Sequence, residues 1–367
     1  MGLFDGVDPG FGLAPDFGST AHVARLLDAP VVLVVDAARA GRSVAALAAG
    51  FAGFDPRTPV AGVILNQVAS DRHERLLRDA LAGTGLPVYG VIRRTEGIVT
   101  PSRHLGLIPA AERAAMAGQA VDRMGALVGA SCDLDALLAL AARAPARSGS
   151  AWEPPAEPDI RVPGLPAPVV AVAGGAAFTF GYTEQAELLE AAGAWVAPFD
   201  PLRDEDLPEG TAGLIVGGGF PELHAAGLSA NERLRERVAA LAARGAPVAA
   251  ECAGLLYLAR TLDDRPMCGV LDVRAAMTPK LTLGYREAVA VTDSVLARAG
   301  DVVRGHEFHR TAVVPAAGDQ PAWRLGSRSF EGHVAGSVIA SYLHTHWAGH
   351  PAAAARFTAA CAKVNAL

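Results

Sequence analysis

The chain has 367 residues, which suggests two domains rather than one. Apolar residues make up 51% of it, enough for sizeable cores, and a formal net charge of −6 without any basic run leaves no footprint for nucleic acid. Four cysteines (Cys132, Cys252, Cys268, Cys361) lack CxxC spacing, which argues against a zinc site and a disulfide framework and fits a reduced cytoplasm; no apolar run is long enough to span a bilayer.

The opening Met1-Gly2-Leu3-Phe4-Asp5-Gly6 reads as neither a signal nor a transit peptide. Gly6 stands where a myristoylation signal carries a small hydroxyl residue. The chain reads as if entered in the middle of a domain. Val31 to Asp36 is then a buried strand ending in a carboxylate, and a helix-like segment runs from Ser43 to Phe51. Val60 to Leu65 is the next strand and ends at Asn66. Asp71 to Leu81 is helical, with Asp71 as N-cap and Glu74 at capping-box spacing. Val88 to Ile92 is a third strand, and helical periodicity follows over Ala110–Leu127 and Leu134–Ala142. Apolar strands alternating with amphipathic helices predict a parallel sheet covered on both faces.

Between Ala144 and Pro168 the composition changes, with Arg147-Ser148-Gly149-Ser150 leading into Pro154, Pro155, Pro158, Pro163 and Pro166. That is a linker. The boundaries expected are a first domain over residues 1–145, a linker over 146–167 and a second domain over 168–367. The second half restarts the alternation. Strands are predicted at Val169–Val172, Trp195–Phe199, Gly213–Val216 and Pro247–Glu251, with helices at Thr183–Ala192 and Asn231–Ala243. Further β-like segments lie near Glu287–Thr292, Val302–His309 and Val338–Leu343, and a last helix covers Pro351 to Lys363.

The chemistry concentrates in this half. Pro247 to Leu258 reads as strand, sharp turn and helix, with Cys252 at the turn. A nucleophile there stands clear of the sheet, with the positive N-terminus of the next helix aimed at it; both effects favour thiolate. Ala253 can offer its N–H to a developing oxyanion, and the Gly217-Gly218-Gly219 run, centred on Gly218, is a second candidate donor. A histidine at a strand end would complete the pair, and Ser341-Tyr342-Leu343-His344-Thr345-His346 supplies it. His346 shares the face of His344 if the strand continues. Taken singly, Cys252 also fits a small buried core residue, and the glycine run a tight turn.

Five blocks in order now carry a resemblance. They are Gly217-Gly218-Gly219-Phe220-Pro221-Glu222-Leu223-His224, Ala250-Glu251-Cys252-Ala253-Gly254, Leu281-Thr282-Leu283-Gly284-Tyr285-Arg286-Glu287, Arg304-Gly305-His306-Glu307-Phe308-His309 and Ser341-Tyr342-Leu343-His344. Ala173-Gly174-Gly175-Ala176-Ala177-Phe178-Thr179-Phe180 also matches. This half resembles the class I glutamine amidotransferase domain of the cobyrinic acid a,c-diamide synthase and cobyric acid synthase type. The resemblance implies a flavodoxin-like domain with Cys252 as glutaminase nucleophile and His344 as its activating residue. The Glu that many amidotransferases carry two residues after the His is replaced by His346, so the third member of the triad stays open. Met1 to Gly6, Gly18-Ser19-Thr20-Ala21, Asn66-Gln67-Val68 and Pro101 to Leu107 extend the resemblance to the diamide synthases, whose first domain resembles dethiobiotin synthetase, a P-loop fold.

That family binds ATP and Mg²⁺ in its first domain. No Gly-x-x-x-x-Gly-Lys-Ser/Thr occurs anywhere in this chain, so good ATP binding is not expected of it as given. The first domain is therefore expected to be a partial, truncated P-loop domain, with a start upstream of Met1 favoured because the other motifs are intact. Asp5 resembles the family aspartate near magnesium and the substrate carboxylates, though a turn residue before Gly6 fits equally. Asp36 ends a strand where P-loop folds place a magnesium-linked aspartate. Asn66 sits where related enzymes read an adenine edge. Ser102 and Arg103 could meet an acidic substrate, or be a helix cap and a solvated charge.

The resemblance implies ATP-dependent amidation of the a and c acetate side chains of cobyrinic or hydrogenobyrinic acid with glutamine-derived ammonia, with only the glutaminase half intact here. The partners expected are glutamine and the corrin acid, with no nucleic acid and no membrane, a cytoplasmic location, and a homodimer left open. Two rival readings stand beside it: a stand-alone cysteine hydrolase or peptidase on the same fold, and a non-catalytic corrinoid-binding remnant. Glutamine hydrolysis separates all three.

Overall fold

The computed structural model describes residues 2–7, 14, 16–95, 114–155, 166–326 and 329–364. The chain divides into two compact units, with a boundary between Ala151 and Trp152.

In the first unit the helices are α1 (Thr20–Leu27), α2 (Ser43–Phe54), α3 (Asp71–Ala82), α4 (Ala114–Ser131) and α5 (Leu134–Ala141). The strands β1 (Val31–Asp36), β2 (Val60–Val68) and β3 (Val88–Arg93) form a parallel sheet in the order β1-β2-β3. The amphipathic stripe of α3 buries Leu77 and Leu81, one turn apart, against Val63, Leu65 and Val91 of the sheet. Ser70, not Asp71, caps α3: its hydroxyl accepts from the His73 N–H at 3.2 Å. Asp71 is the first helical residue, where its charge and that of Glu74 face the positive helix end. The sheet is not covered on both faces among the described residues. Val34, in the middle of β1, is 59% exposed, and Phe54 at the end of α2 is 72% exposed.

The second unit is built on a six-stranded sheet of β4 (Val169–Ala173), β5 (Trp195–Phe199), β6 (Thr211–Val216), β7 (Val248–Glu251), β14 (His333–Ala335) and β15 (Val338–Ser341). Its order is β14-β15-β7-β6-β4-β5, parallel except for β14. The first strand lies inside the second, and the chain then winds the other way, which is the flavodoxin-like order. Helices α6 (Thr183–Ala191), α7 (Ala225–Ala230), α8 (Glu232–Ala243), α9 (Ala253–Leu258) and α10 (Ala352–Val364) complete the layers. The strand period of two sorts the core. Leu214, Val216, Val248, Ala250, Val338 and Ala340 enter one cluster, and Ile215, Ala249 and Ile339 enter the other. Both faces are therefore dry, and all six residues of β6 are buried.

A second, mainly antiparallel sheet contains β8 (Thr261–Leu262), β9 (Arg265–Pro266), β10 (Arg274–Ala290), β11 (Val302–Val314), β12 (Trp323–Leu325), β13 (Ser329–Glu331) and β16 (His344–Thr345). The 17-residue β10 is far longer than the segment expected near Glu287. A register shift between Met277 and Thr282, around Pro279, breaks the alternation that would have revealed it. The expected strand over Val338–Leu343 also divides. It leaves the central sheet after Ser341 and joins β11 three residues later as β16, where His344 opposes His306.

Candidate active site

The carboxyl ends of β6, β7 and β15 meet in one place, as ligand sites do in open α/β sheets. Cys252 links β7 to α9 with φ 51° and ψ −98°. A side chain at positive φ costs on the order of 1–3 kcal/mol, so the surroundings must impose it. They do so through two backbone bonds: the Cys252 N–H donates to the Ser341 carbonyl at 2.7 Å, and the Gly254 N–H donates to the Gly217 carbonyl at 3.1 Å. Residue 254 must be glycine here, because a Cβ would lie 2.1 Å from the Val216 carbonyl oxygen. The turn is thus clamped between β6 and β15, with the thiol at its apex.

The thiol is not the stabilised thiolate that a helix N-terminus suggested. Burial pushes it up to about 12, Glu222 adds to this most among the charges, and Glu251 and Glu307 add further; a hydrogen bond from the Ala253 N–H works the other way. Desolvation and three carboxylates outweigh one N–H and a six-residue helix.

His344 is buried, at 6% exposure. Its ring stacks on that of His306, with centroids 4.7 Å apart and planes 7° from parallel. Burial pushes its pKa down to about 3, His306 and His309 deepen the shift, and Glu307 opposes it. The imidazole is therefore neutral at pH 7. It lies against the glycine run: a Cβ on Gly218 would stand 2.6 Å from His344 Cε1. Cys252, Gly218 and His344 are thus brought to the same sheet ends. His346 is not: it is exposed, its ring packs on Tyr182 at 4.4 Å, and its Nε2 lies 3.7 Å from Glu184.

Gly218 requires a correction as an oxyanion donor. Its N–H is already given to the Phe180 carbonyl at 3.2 Å, through a short antiparallel bridge. The bridge satisfies the donor, so the expected free N–H is not there. What glycine provides at 218 is room for the imidazole.

Two carboxylates around the pair, Glu251 and Glu331, were not foreseen. Glu251 accepts from the Thr345 hydroxyl at 2.7 Å and from the Thr345 N–H at 3.3 Å. Some of the residue reaches solvent, yet the protein around its carboxyl desolvates it and pushes it up to about 7. Glu331, buried, accepts from the Ser341 hydroxyl at 2.6 Å and the Tyr342 N–H at 2.7 Å, and burial pushes it up to about 7 as well. A carboxylate closing an apolar strand is a signal that could have exposed Glu251. Glu331, on a three-residue strand, gives none. Glu307 accepts from Arg286 Nε at 2.5 Å and lies 3.6 Å from His309 Nε2, and the His309 ring stacks on Tyr342 at 3.7 Å.

In the first unit, Asp36, the last residue of β1, is the register partner of Asn66, which lies inside β2 and not at its end as expected. Each uses a side-chain oxygen locally, Asp36 on the Ala38 N–H and Asn66 on the Gln67 N–H, both at 2.9 Å. Asp5 is exposed and folds back toward Gly2. Ser102 and Arg103 lie outside the described residues. The side-chain oxygens of Asp36 and Asn66 are thus engaged by their own turns. The chain's only lysines, Lys280 and Lys363, are in the second half. Among the described residues no three His, Cys, Asp or Glu are grouped to hold a metal, and no helix is long and apolar enough to cross a membrane.

Two family models match. One is the CobB/CobQ-like glutamine amidotransferase domain, over residues 169–352. The other is the CobQ/CobB/MinD/ParA nucleotide binding domain, over residues 3–108. The chain is 57% identical to hydrogenobyrinate a,c-diamide synthase of Streptomyces coelicolor, over 98% of this chain and 79% of that protein. It is 52% identical to the enzyme of the same name from Mycobacterium tuberculosis, over 98% and 78%. Cobyrinate a,c-diamide synthase of Gloeobacter violaceus is 45% identical, over 99% and 78%.

Proposed function

The chain belongs to the cobyrinate and hydrogenobyrinate a,c-diamide synthase family of glutamine-dependent amide ligases, and from that premise we propose that it releases ammonia from glutamine at Cys252, with His344 as the proton carrier. The observation that carries the reading is the strained turn at Cys252, held at the same sheet ends as the imidazole that Gly218 makes room for.

The protonation states support a particular order of events. At rest the pair is thiol and neutral imidazole. As the sulfur attacks the side-chain amide carbon of glutamine, its proton passes to His344, and the C–S bond forms while the carbonyl becomes an oxyanion. The Ala253 N–H, which faces the sulfur at rest, is the first donor to that oxyanion. Collapse breaks the C–N bond, and His344 gives its proton to the leaving ammonia. Water then loses a proton to His344 and attacks the thioester. Glutamate departs, and the sulfur recovers its proton. General acid–base transfer of this kind is worth about 10²–10⁴-fold.

The ammonia is proposed to amidate acetate side chains of cobyrinic or hydrogenobyrinic acid, the substrates named by the relatives. Activation of those carboxylates belongs to ATP, and no step through ATP is derived from the residues present. The test is glutamate release from glutamine by the purified chain. Cys252→Ala should abolish it without unfolding the protein, since one small side chain replaces another. Hydrolysis at the wild-type rate in that variant would remove the proposal.

A further inference from the structure

A two-residue strand is a slender support for a catalytic imidazole. β16 has only Gly305 and His306 opposite it in the ladder. A histidine base is commonly oriented by a third group bonded to its ring. Here, among the described residues, no carboxylate hydrogen-bonds the His344 imidazole; its ring contact is the stack on His306. Something else must fix the main chain on either side.

Two carboxylates do this from different strands. Before His344, Glu331 of β13 takes the Ser341 hydroxyl on Oε2 and the Tyr342 N–H on Oε1. The Ser341 hydroxyl oxygen in turn accepts from the Leu343 N–H at 2.9 Å, so the three residues preceding His344 are tied to one carboxyl. After His344, Oε1 of Glu251 takes both the N–H and the hydroxyl of Thr345. Glu251 is also the residue before Cys252, whose own N–H is held by Ser341. One side chain therefore links the neighbour of the nucleophile to the neighbour of the base.

Desolvating a carboxylate is expensive, and an apolar pair of the same shape is often as stable. Fold stability is thus a poor reason for two such groups flanking one histidine. Geometry is a better one, because a shift of about 1 Å at reacting atoms costs about 10²-fold in rate.

Building on the glutaminase reading above, we infer that Glu251 and Glu331 are positioning residues that bracket His344 through its main chain, in place of a carboxylate bonded to its ring. Glu251 is the more direct of the two, since it spans from the nucleophile's turn to the base's strand.

The experiment compares Glu251→Ala, Glu251→Gln, Thr345→Val and the double variant Glu251→Ala/Thr345→Val. Readouts are kcat and KM for glutamine hydrolysis, with thermal unfolding beside them. Glu251→Ala should lower kcat about 10- to 100-fold while KM stays within about threefold. Glu251→Gln keeps an oxygen for both Thr345 donors and should recover most of that loss. Thr345→Val should lower kcat severalfold alone and add nothing to Glu251→Ala, the non-additivity expected of one shared contact. Wild-type kcat in a folded Glu251→Ala would overturn the inference. So would an effect confined to KM, or a loss that Gln does not recover, which would mean that charge matters and position does not. If Glu251→Ala fails to fold, Thr345→Val decides alone, and wild-type kcat there is the overturning result. Activity surviving in Cys252→Ala would instead remove the underlying glutaminase reading, so the two failures are told apart.

Discussion

Replacing Gly218 with alanine places one methyl group where the proposed base now lies. The new Cβ would stand 2.6 Å from His344 Cε1, 3.3 Å from Nδ1 and 3.2 Å from Phe180 Cβ, against ordinary contact from 3.4 Å outward. The ring must therefore withdraw by at least about 0.8 Å. It has little freedom to do so, being buried, stacked on His306 and attached to a strand whose next residue is held by Glu251. Overpacking of this size costs about 1–3 kcal/mol of stability. The same displacement at the reacting atoms should cost about 10²-fold in kcat. Steady-state glutamate release measures the second, and thermal unfolding the first. Gly181→Ala is the control, because a Cβ there meets nothing within 4 Å. A folded Gly218→Ala with kcat within about threefold of wild type would show that His344 need not sit where it does, and the proton-transfer scheme would fall with it.

Three further outcomes follow from the same geometry. His344→Asn should lower glutaminase activity by about 10²–10⁴-fold, and His346→Asn far less, since His346 is exposed and packs on Tyr182 and Glu184; the reverse order would refute the assignment of the base. Glu331 has a folded pKa raised from 4.5 to about 7, so its own contribution to stability falls as pH rises through that window, by on the order of 3 kcal/mol; Glu251 acts in the same direction and His344, lowered to about 3, in the opposite one. The Tm of Glu331→Gln should therefore gain on that of wild type as pH rises from about 4.5 to 7, and a Tm difference independent of pH would show that Glu331 does not take up the proton. Titration of the chain with ATP and magnesium should give no saturable micromolar heat, given the absence of a phosphate-binding glycine–lysine loop; micromolar binding would mean that the phosphates find another cradle.

Much of the framework was legible in the residues. Continuous apolar runs located β1, β2, β4, β6 and β7, because strands dry on one or both faces leave that trace. The turn at Cys252 and the histidine at the end of an apolar run were legible for the same reason. Three features were not. The cap of α3 fell one residue early, because Ser70 and Asp71 are both good caps and only geometry chooses. Strand β10 hid behind Pro279 and its register shift, since it is held by hydrogen bonds to β11 more than by burial. The protonation state of Cys252 went the other way from expectation, because the fold buries the thiol and, to a lesser extent, brings Glu222 and Glu307, distant in sequence, near it. The carboxylates bracketing His344 belong to that last kind: nothing in the sequence signals that Glu331 of β13 meets Ser341 at the end of β15.

The unwelcoming surroundings of the Cys252 thiol bear on how the protein endures an oxidising challenge. Peroxides and alkylating agents react with thiolate, and with the thiol pushed up to about 12 only a very small fraction of molecules carries it at pH 7. In the proposed reaction the sulfur is therefore a thiol at rest and is armed only when the amide arrives. Dilute hydrogen peroxide should accordingly leave Cys252 unmodified in the resting protein for far longer than it leaves an ordinary exposed cysteine, and glutamine turnover should be the moment of vulnerability.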